Sequence, residues 1–219
     1  MLTITNTEVL GFDHAIRGMR NPMNSHDKSD SYWTHVCDYE TLETANFCFF
    51  VGDADKELMK KLAAAGSDHA KYLRMITVYF DVTAPMYWLK QFSTYAVGVV
   101  SNSTSTMHKI HAKEFTLDDF SHEHLLNKRG ETALLIVIQE LNHFRREYLV
   151  NRDKEDWWQM IQLLPSSYNQ TRTVMLNYEV LRRIYHSRRN HKLDEWHTFC
   201  DWIESLPHSD LITGEESGE

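Results

Sequence analysis

Three groups of side chains in this sequence have types and spacings that suit chemistry. His108 and His111 are separated by two residues, and His122 and His124 by one. Imidazoles so spaced can chelate zinc or another transition metal. Exposed histidines in a polar loop are the plainer reading, no His-Glu-x-x-His pattern accompanies them, and no residue is assigned as a metal ligand. Ser101 to Thr106 are six consecutive residues with hydroxyl or amide side chains. Such a run can wrap a phosphate or the edge of a base with side-chain and backbone donors, or it can be a solvated loop. Arg182, Arg183, Arg188 and Arg189 cluster with His186 and His191. Guanidinium groups grip phosphate as rigid forks; they also suit a helix C-terminus through its dipole, as ordinary surface charge.

The elements that must hold these groups follow from hydrophobic period. Residues 2–10 alternate weakly and read as an opening strand, and 13–20 as a short helix stopped by Asn21-Pro22. Residues 53–65 read as a helix, capped by Asp53 or Asp55 and closed by Gly66. In residues 74–83 Ile76, Val78, Phe80 and Val82 fall on one face and Thr77, Tyr79, Asp81 and Thr83 on the other, the pattern of a strand. A helix over 85–96 follows, with Pro85 at a tolerated first-turn position. Helical spacing then predicts helices over 130–148, 153–163, 171–186 and 193–206, with Pro165 as a break. The fold class is α+β: a small sheet, long helices and a helical C-terminal half. One domain is expected over 1–213, with 214–219 (GEESGE) as an acidic, disordered tail.

Composition narrows the function. The 219 residues suit a single globular domain, and 8 Gly and 4 Pro suit long helices more than a turn-rich β protein. With 23 basic against 31 acidic residues the net charge is -8, which disfavours sequence-independent binding of DNA or RNA. Three cysteines without a CxxC pair argue against a disulfide framework and point to the cytoplasm. The N-terminus lacks the pattern of a signal peptide. The longest apolar run, residues 133–138, is too short to span a bilayer. GxGxxG, GxxxxGK[ST] and GxSxG are all missing, so Rossmann, P-loop and α/β-hydrolase readings lose their support.

Three segments together resemble flavin-dependent thymidylate synthase, the ThyX family, over roughly residues 66–205. In the first, His69, the strand through Ile76 and Thr83, the Ala84-Pro85 break and Gln91 fall in the family's order and spacing. In the second, Asn102 and Ser105 take the Asn and Ser places of the family's Asn-Glu-x-Ser loop if one residue is inserted. In the third, Leu164-Pro165, Asn177, Leu181 and Arg188 are similar to the family's Leu-Pro, Asn-x-Arg-x-Leu and terminal Arg, with Trp196 beyond. The departures are specific. Thr94, Tyr95 and Ala96 stand where the family carries Arg-His-Arg. Glu179 and Ile161 replace two further arginines, Ser103 replaces the loop glutamate, and Met107 the loop's final arginine.

The resemblance implies a ThyX-like fold and the reductive methylation of dUMP to dTMP, or a related pyrimidine nucleotide reaction. FAD would be the cofactor, and NADPH and methylenetetrahydrofolate the co-substrates. It implies that Gln91, Asn102 and Ser105 bind the nucleotide, that Arg188 is the catalytic residue polarising the pyrimidine, and that His69 and Asn177 meet the flavin. Arg189 rivals Arg188 by a shift of one residue. It also implies a homotetramer with sites between subunits. The lost cations leave open a catalytically inactive nucleotide- or flavin-binding member, so whether the chain is an enzyme stays undecided here. A metal-dependent enzyme using the paired histidines is the second alternative.

Overall fold

The computed structural model describes residues 2–36 and 46–214. Cys37 and residues 215–219, most of the expected tail, lie outside the described residues. In chain order the elements are β1 (Thr3–Leu10), α1 (Phe12–Arg20), β2 (Tyr32–Val36), β3 (Asn46–Phe50), α2 (Asp53–Ala64), β4 (Thr77–Pro85) and α3 (Met86–Phe92). They continue with β5 (Val100–Ser103), α4 (Lys128–Asn151), α5 (Lys154–Leu163), β6 (Asn169–Asn177), α6 (Tyr178–Arg188), α7 (Asp194–Glu204) and the short α8 (Asp210–Thr213). A four-stranded sheet runs in the order β1-β4-β6-β5, and β2 pairs antiparallel with β3 in a separate ribbon. The fold is the expected α+β, a small sheet with long helices.

β4 and the residue before it behave as their alternation requires: Ile76, Val78, Phe80 and Val82 are buried, whereas Tyr79 is exposed. Residues 171–186 differ from the single helix that was expected. Their first seven residues belong to β6, and the helix begins only at Tyr178. The reason is visible in the residues: Gln170, Arg172, Val174 and Leu176 alternate with Thr171 and Thr173, a period of two with β-branched residues. The C-terminal half is therefore helical apart from one strand. Val100–Ser103, read as part of a polar loop, is a strand, and the helix over 85–96 stops at Phe92. The β2–β3 ribbon was not anticipated. Its register sets Trp33 against Phe49 and His35 against Phe47.

The chain divides into two compact units. The first comprises Met1–Asn6, Phe80–Ala96 and Val100–Val174. Its core gathers Ile110, Phe115, Phe120, Leu134, Ile138, Leu141 and Met160, with Phe144, Trp157 and Tyr168 packed at the margin. α4 and α5 supply much of this core; Asn127 and Asp153 cap them by accepting from the amides of Arg129 and Glu155, each at 2.9 Å. Buried Asn142 is satisfied by Phe115, accepting from its amide at 2.9 Å and donating to its carbonyl at 2.8 Å.

The second unit comprises Thr7–Tyr79, Val97–Val99 and Met175–Glu219. Tyr178, Leu181 and Ile184 of α6 and Trp196, Phe199 and Ile203 of α7 are buried there. Its N-terminal part is fastened by a buried ion pair, Arg20 Nε to Asp55 Oδ1 at 2.6 Å. The same guanidinium donates to the carbonyls of Ser25 (3.1 Å) and Lys28 (3.0 Å). The other carboxylate oxygen of Asp55 accepts from Ser29 Oγ at 2.6 Å, Ser31 Oγ at 2.7 Å and the amides of Asp30 and Ser31, both at 3.2 Å. Every polar atom of the pair thus finds a partner, the condition under which a buried charge is tolerable.

Candidate functional site

In the first unit a run of hydrogen bonds links two of the segments singled out in the sequence. β5 and the residue after it lie along β6: the Thr104 amide donates to Thr171 O at 2.9 Å. Gln170 then donates through Nε2 to Thr104 O at 2.7 Å, and its Oε1 accepts from Arg172 Nε at 3.2 Å. Arg172 Nη1 reaches Ser93 Oγ at 2.9 Å, and that hydroxyl donates onward to Leu89 O at 2.8 Å. The polar run Ser101–Thr106 is therefore tied through Gln170 and Arg172 to the end of α3, two residues beyond Gln91. Burial pushes the Arg172 guanidinium below its ordinary value. On the other face of β6 the residues pair with β4, Thr171 with Thr83 at 2.7 Å and Thr173 Oγ1 with Asp81 Oδ1 at 2.6 Å. Asn6 Nδ2 donates to the second Asp81 oxygen at 2.7 Å, and these two bonds hold the Asp81 carboxyl below its usual range.

The expected nucleotide residues lie along this run. Gln91 is half-buried in the last turn of α3, where its carbonyl accepts from the amide of Thr94 at 3.0 Å and from Thr94 Oγ1 at 2.7 Å. Asn102 is exposed on β5. Ser105 is exposed too; its Oγ accepts from the amides of Met107 (3.2 Å) and His108 (2.9 Å), so the hydroxyl also shapes the turn. A polar strand edge, a hydroxyl-rich turn and a half-buried cation suit a planar, hydrogen-bonding ligand carrying an anion.

The remaining expected residues belong to the second unit. His69 is exposed and precedes the turn Ala70–Met75. Asn177 caps α6, its Oδ1 accepting from the Val180 amide at 3.1 Å. Gly98, at φ +80, sits against it: a Cβ there would lie 3.3 Å from Asn177 Nδ2 and 3.1 Å from Val180 Cγ2. The arginine cluster is dispersed by its surroundings. Arg182 is buried and donates to Ala63 O at 2.7 Å, so it is a packing residue. Arg188 lies over the buried Trp196 ring at 4.9 Å, and Arg189 over Tyr185 at 5.8 Å. Arg189, and not Arg188, lines a cleft of about 490 Å³ with Asn190, His191, His197, Cys200 and Glu204. Burial, reinforced by Arg188, His197 and Lys192, depresses His191, while burial raises the Cys200 thiol to about 11.

The paired histidines do not assemble a metal centre. Among the described residues no group of three or more His, Cys, Asp or Glu side chains is placed to hold an ion. His122 Nδ1 is engaged with Phe120 O at 2.8 Å, and His111 packs edge-on against Tyr148. Sequence reasoning missed Arg172, which fell in a segment read as helix, together with Gln170, which lies just before that segment, and the Arg20–Asp55 pair, whose residues are 35 apart. Two polar residues at alternate positions before Val174 and Leu176 were the signal for the first. No local signal existed for the second.

Solved structures resembling this chain share its fold over nearly its whole length. The flavin-dependent thymidylate synthase ThyX from Helicobacter pylori, complexed with FAD and dUMP, matches with a TM-score of 0.67 at 16% identity, covering 96% of this chain and 97% of that one. A second Helicobacter pylori ThyX structure with FAD and dUMP matches at 0.68 and 16%, covering 97% and 98%. A UMP/dUMP methylase, PolB from Streptomyces cacaoi, bound with 5-Br dUMP, matches at 0.61 and 12%, covering 95% and 92%. No family model and no curated protein matches the sequence. The fold is ThyX-like.

Proposed function

We propose that this chain binds a pyrimidine nucleoside monophosphate of the dUMP type, and that it is a divergent flavin-dependent methylase producing dTMP or a related nucleotide. The observation that carries the reading is the hydrogen-bonded run from Ser101–Thr106 through Gln170 and Arg172 to Ser93. It fixes two of the segments by which the sequence resembles ThyX, on a fold shared with dUMP-bound proteins. Gln91, Asn102 and Ser105 are the proposed nucleotide contacts. Arg188 is the proposed catalytic residue, a fixed donor to charge developing on a pyrimidine oxygen.

The cofactor reading rests on donor chemistry. The half-buried Arg172 guanidinium, held by the neutral Gln170 Oε1 and Ser93 Oγ, fits a phosphate-bearing group, and exposed His69 and the Asn177 amide suit hydrogen bonds to a flavin. FAD would supply the hydride chemistry, with NADPH and methylenetetrahydrofolate as co-substrates; the chain's residues bind, orient and polarise. The neutral Thr94-Tyr95-Ala96 segment supports the second reading, a nucleotide-binding member without catalysis. A homotetramer is proposed as well, in the cytoplasm. Exposed Leu135, Ile136, Leu149 and Val150 along α4 favour self-association.

The deciding test is calorimetric titration of dUMP into the full chain, beside the absorbance spectrum of protein purified without added cofactor. Micromolar dUMP binding weakened at least about tenfold by Gln91→Ala or Asn102→Ala is expected. A chain that binds neither dUMP nor FAD refutes the reading. dUMP binding without flavin absorbance or FAD uptake selects the non-catalytic form. Light scattering giving a monomer at micromolar concentration refutes the tetramer.

A further inference from the structure

Arg172 occupies an unusual place. On β6 it shares a face with Gln170, Val174 and Leu176, all buried, so a guanidinium stands in a row otherwise turned to the packed side of the strand. Burying a cation without a counter-charge is costly, and such groups are ordinarily paired with a carboxylate. Arg20 shows the usual solution in Asp55. Among the described residues Arg172 has only Gln170 Oε1 and Ser93 Oγ as partners, both neutral, and no carboxylate lies within ion-pair distance of it.

Both partners are themselves locked. Gln170 spends its amide nitrogen on Thr104 O, which turns its oxygen toward Arg172. Ser93 donates its proton to Leu89 O, which leaves a lone pair for Arg172 Nη1. The guanidinium is thus oriented by acceptors that leave its charge uncompensated. It sits beside Ser93, the residue immediately before Thr94, Tyr95 and Ala96, where the resembled family carries its cationic signature.

We propose that Arg172 binds the phosphate of the nucleotide or cofactor, delivering from β6 the cation missing from the segment after α3. The inference rests on the nucleotide reading and deepens it. Its ligand is a phosphate ester, which either a nucleoside monophosphate or the diphosphate of a flavin dinucleotide can present.

The test compares ligands that differ only in phosphate. dUMP and deoxyuridine, then FAD and riboflavin, are titrated into wild type, Arg172→Gln and Arg172→Lys, with folding checked by thermal melting. Arg172→Gln keeps hydrogen bonding toward Ser93 without charge. It is expected to lose about tenfold or more in affinity for the phosphorylated member of one pair while its affinity for the unphosphorylated member is unchanged; Arg172→Lys recovers part of the loss. A loss confined to the dUMP pair identifies the monophosphate, one confined to the FAD pair the diphosphate. Equal losses for phosphorylated and unphosphorylated ligands, or none for either, overturn the proposal. If wild type binds none of the four, the nucleotide reading falls separately. Pyrophosphate protection of Arg172 from phenylglyoxal, read by mass spectrometry, then upholds the anion site, and lack of protection overturns it. If neither variant folds, that same protection experiment on wild type decides.

Discussion

Replacing Asp55 by asparagine changes one atom's chemistry in a fully buried side chain. The carboxylate accepts five hydrogen bonds, one from Arg20 and four from Ser29, Asp30 and Ser31. The amide nitrogen of asparagine must face either the Arg20 Nε–H or the group of four donors, so at least one donor loses its acceptor whichever way the amide turns. Arg20, itself buried, also keeps its charge without a counter-ion. Breaking a buried pair from one side costs about 3–5 kcal/mol, and we expect that loss for Asp55→Asn in urea unfolding at pH 7. The pH dependence follows from the same geometry. Burial pushes the Asp55 carboxyl up, but hydrogen bonds from Ser29, Ser31 and Arg20 outweigh it, and its value lies below the ordinary 3.8. A depressed carboxyl stabilises the fold fully above its unfolded value, and the contribution fades as pH falls through the folded one. The stability gap between wild type and variant should therefore be constant above about pH 5 and narrow progressively below 3.8. A loss under about 1 kcal/mol, or a gap unchanged down to the acid limit, would refute the account of this pair.

Gly98→Ala places a Cβ 3.1 Å from Val180 Cγ2 at a φ of +80; a stability loss of about 1–3 kcal/mol is expected in denaturant melts, and a neutral substitution would show that the Gly98 turn relaxes. Cys200 is buried with its thiol raised to about 11, so peptide mapping after thiol labelling at pH 8 should find exposed Cys48 modified well before Cys200. Arg188→Ala should abolish dUMP binding while Arg189→Ala leaves it within a few-fold. Equal small losses in calorimetry would reduce both to solvated charge, and a loss confined to Arg189 would move the functional arginine to the residue that lines the cleft.

What could be read in advance followed hydrophobic period. β4 was legible because four apolar side chains alternate with polar ones, and all four are buried. The long α4 and α5 were legible because their apolar residues recur at helical spacing and side-chain acceptors cap both starts. The segment 171–177 misled because Val174 and Leu181 can also be read with a helical period. The competing strand signal lay in Gln170 and Arg172, polar residues on a buried face, which a search for apolar alternation passes over. The β2–β3 ribbon escaped because its Tyr32, Trp33, Phe47 and Phe50 are exposed aromatics that cover one another, whereas the prediction looked for residues facing a core.

The same reasoning explains why the hydrogen-bonded run through Gln170 and Arg172 was not legible in the sequence. Gln91, Asn102 and Ser105 were proposed because their order along the chain resembles a family's, and such a search treats a missing arginine as a missing cation. A binding site requires charge at a point in space, and neighbouring strands and helices offer several chain positions from which to reach it. Arg172 is 79 residues from Ser93, yet the two side chains meet at 2.9 Å. A cation can therefore leave one element and reappear on another without leaving the neighbourhood. If phosphate affinity falls with Arg172→Gln, the neutral Thr94-Tyr95-Ala96 segment ceases to be an argument against nucleotide binding. The question of catalysis then turns on Arg188 and its contact with Trp196.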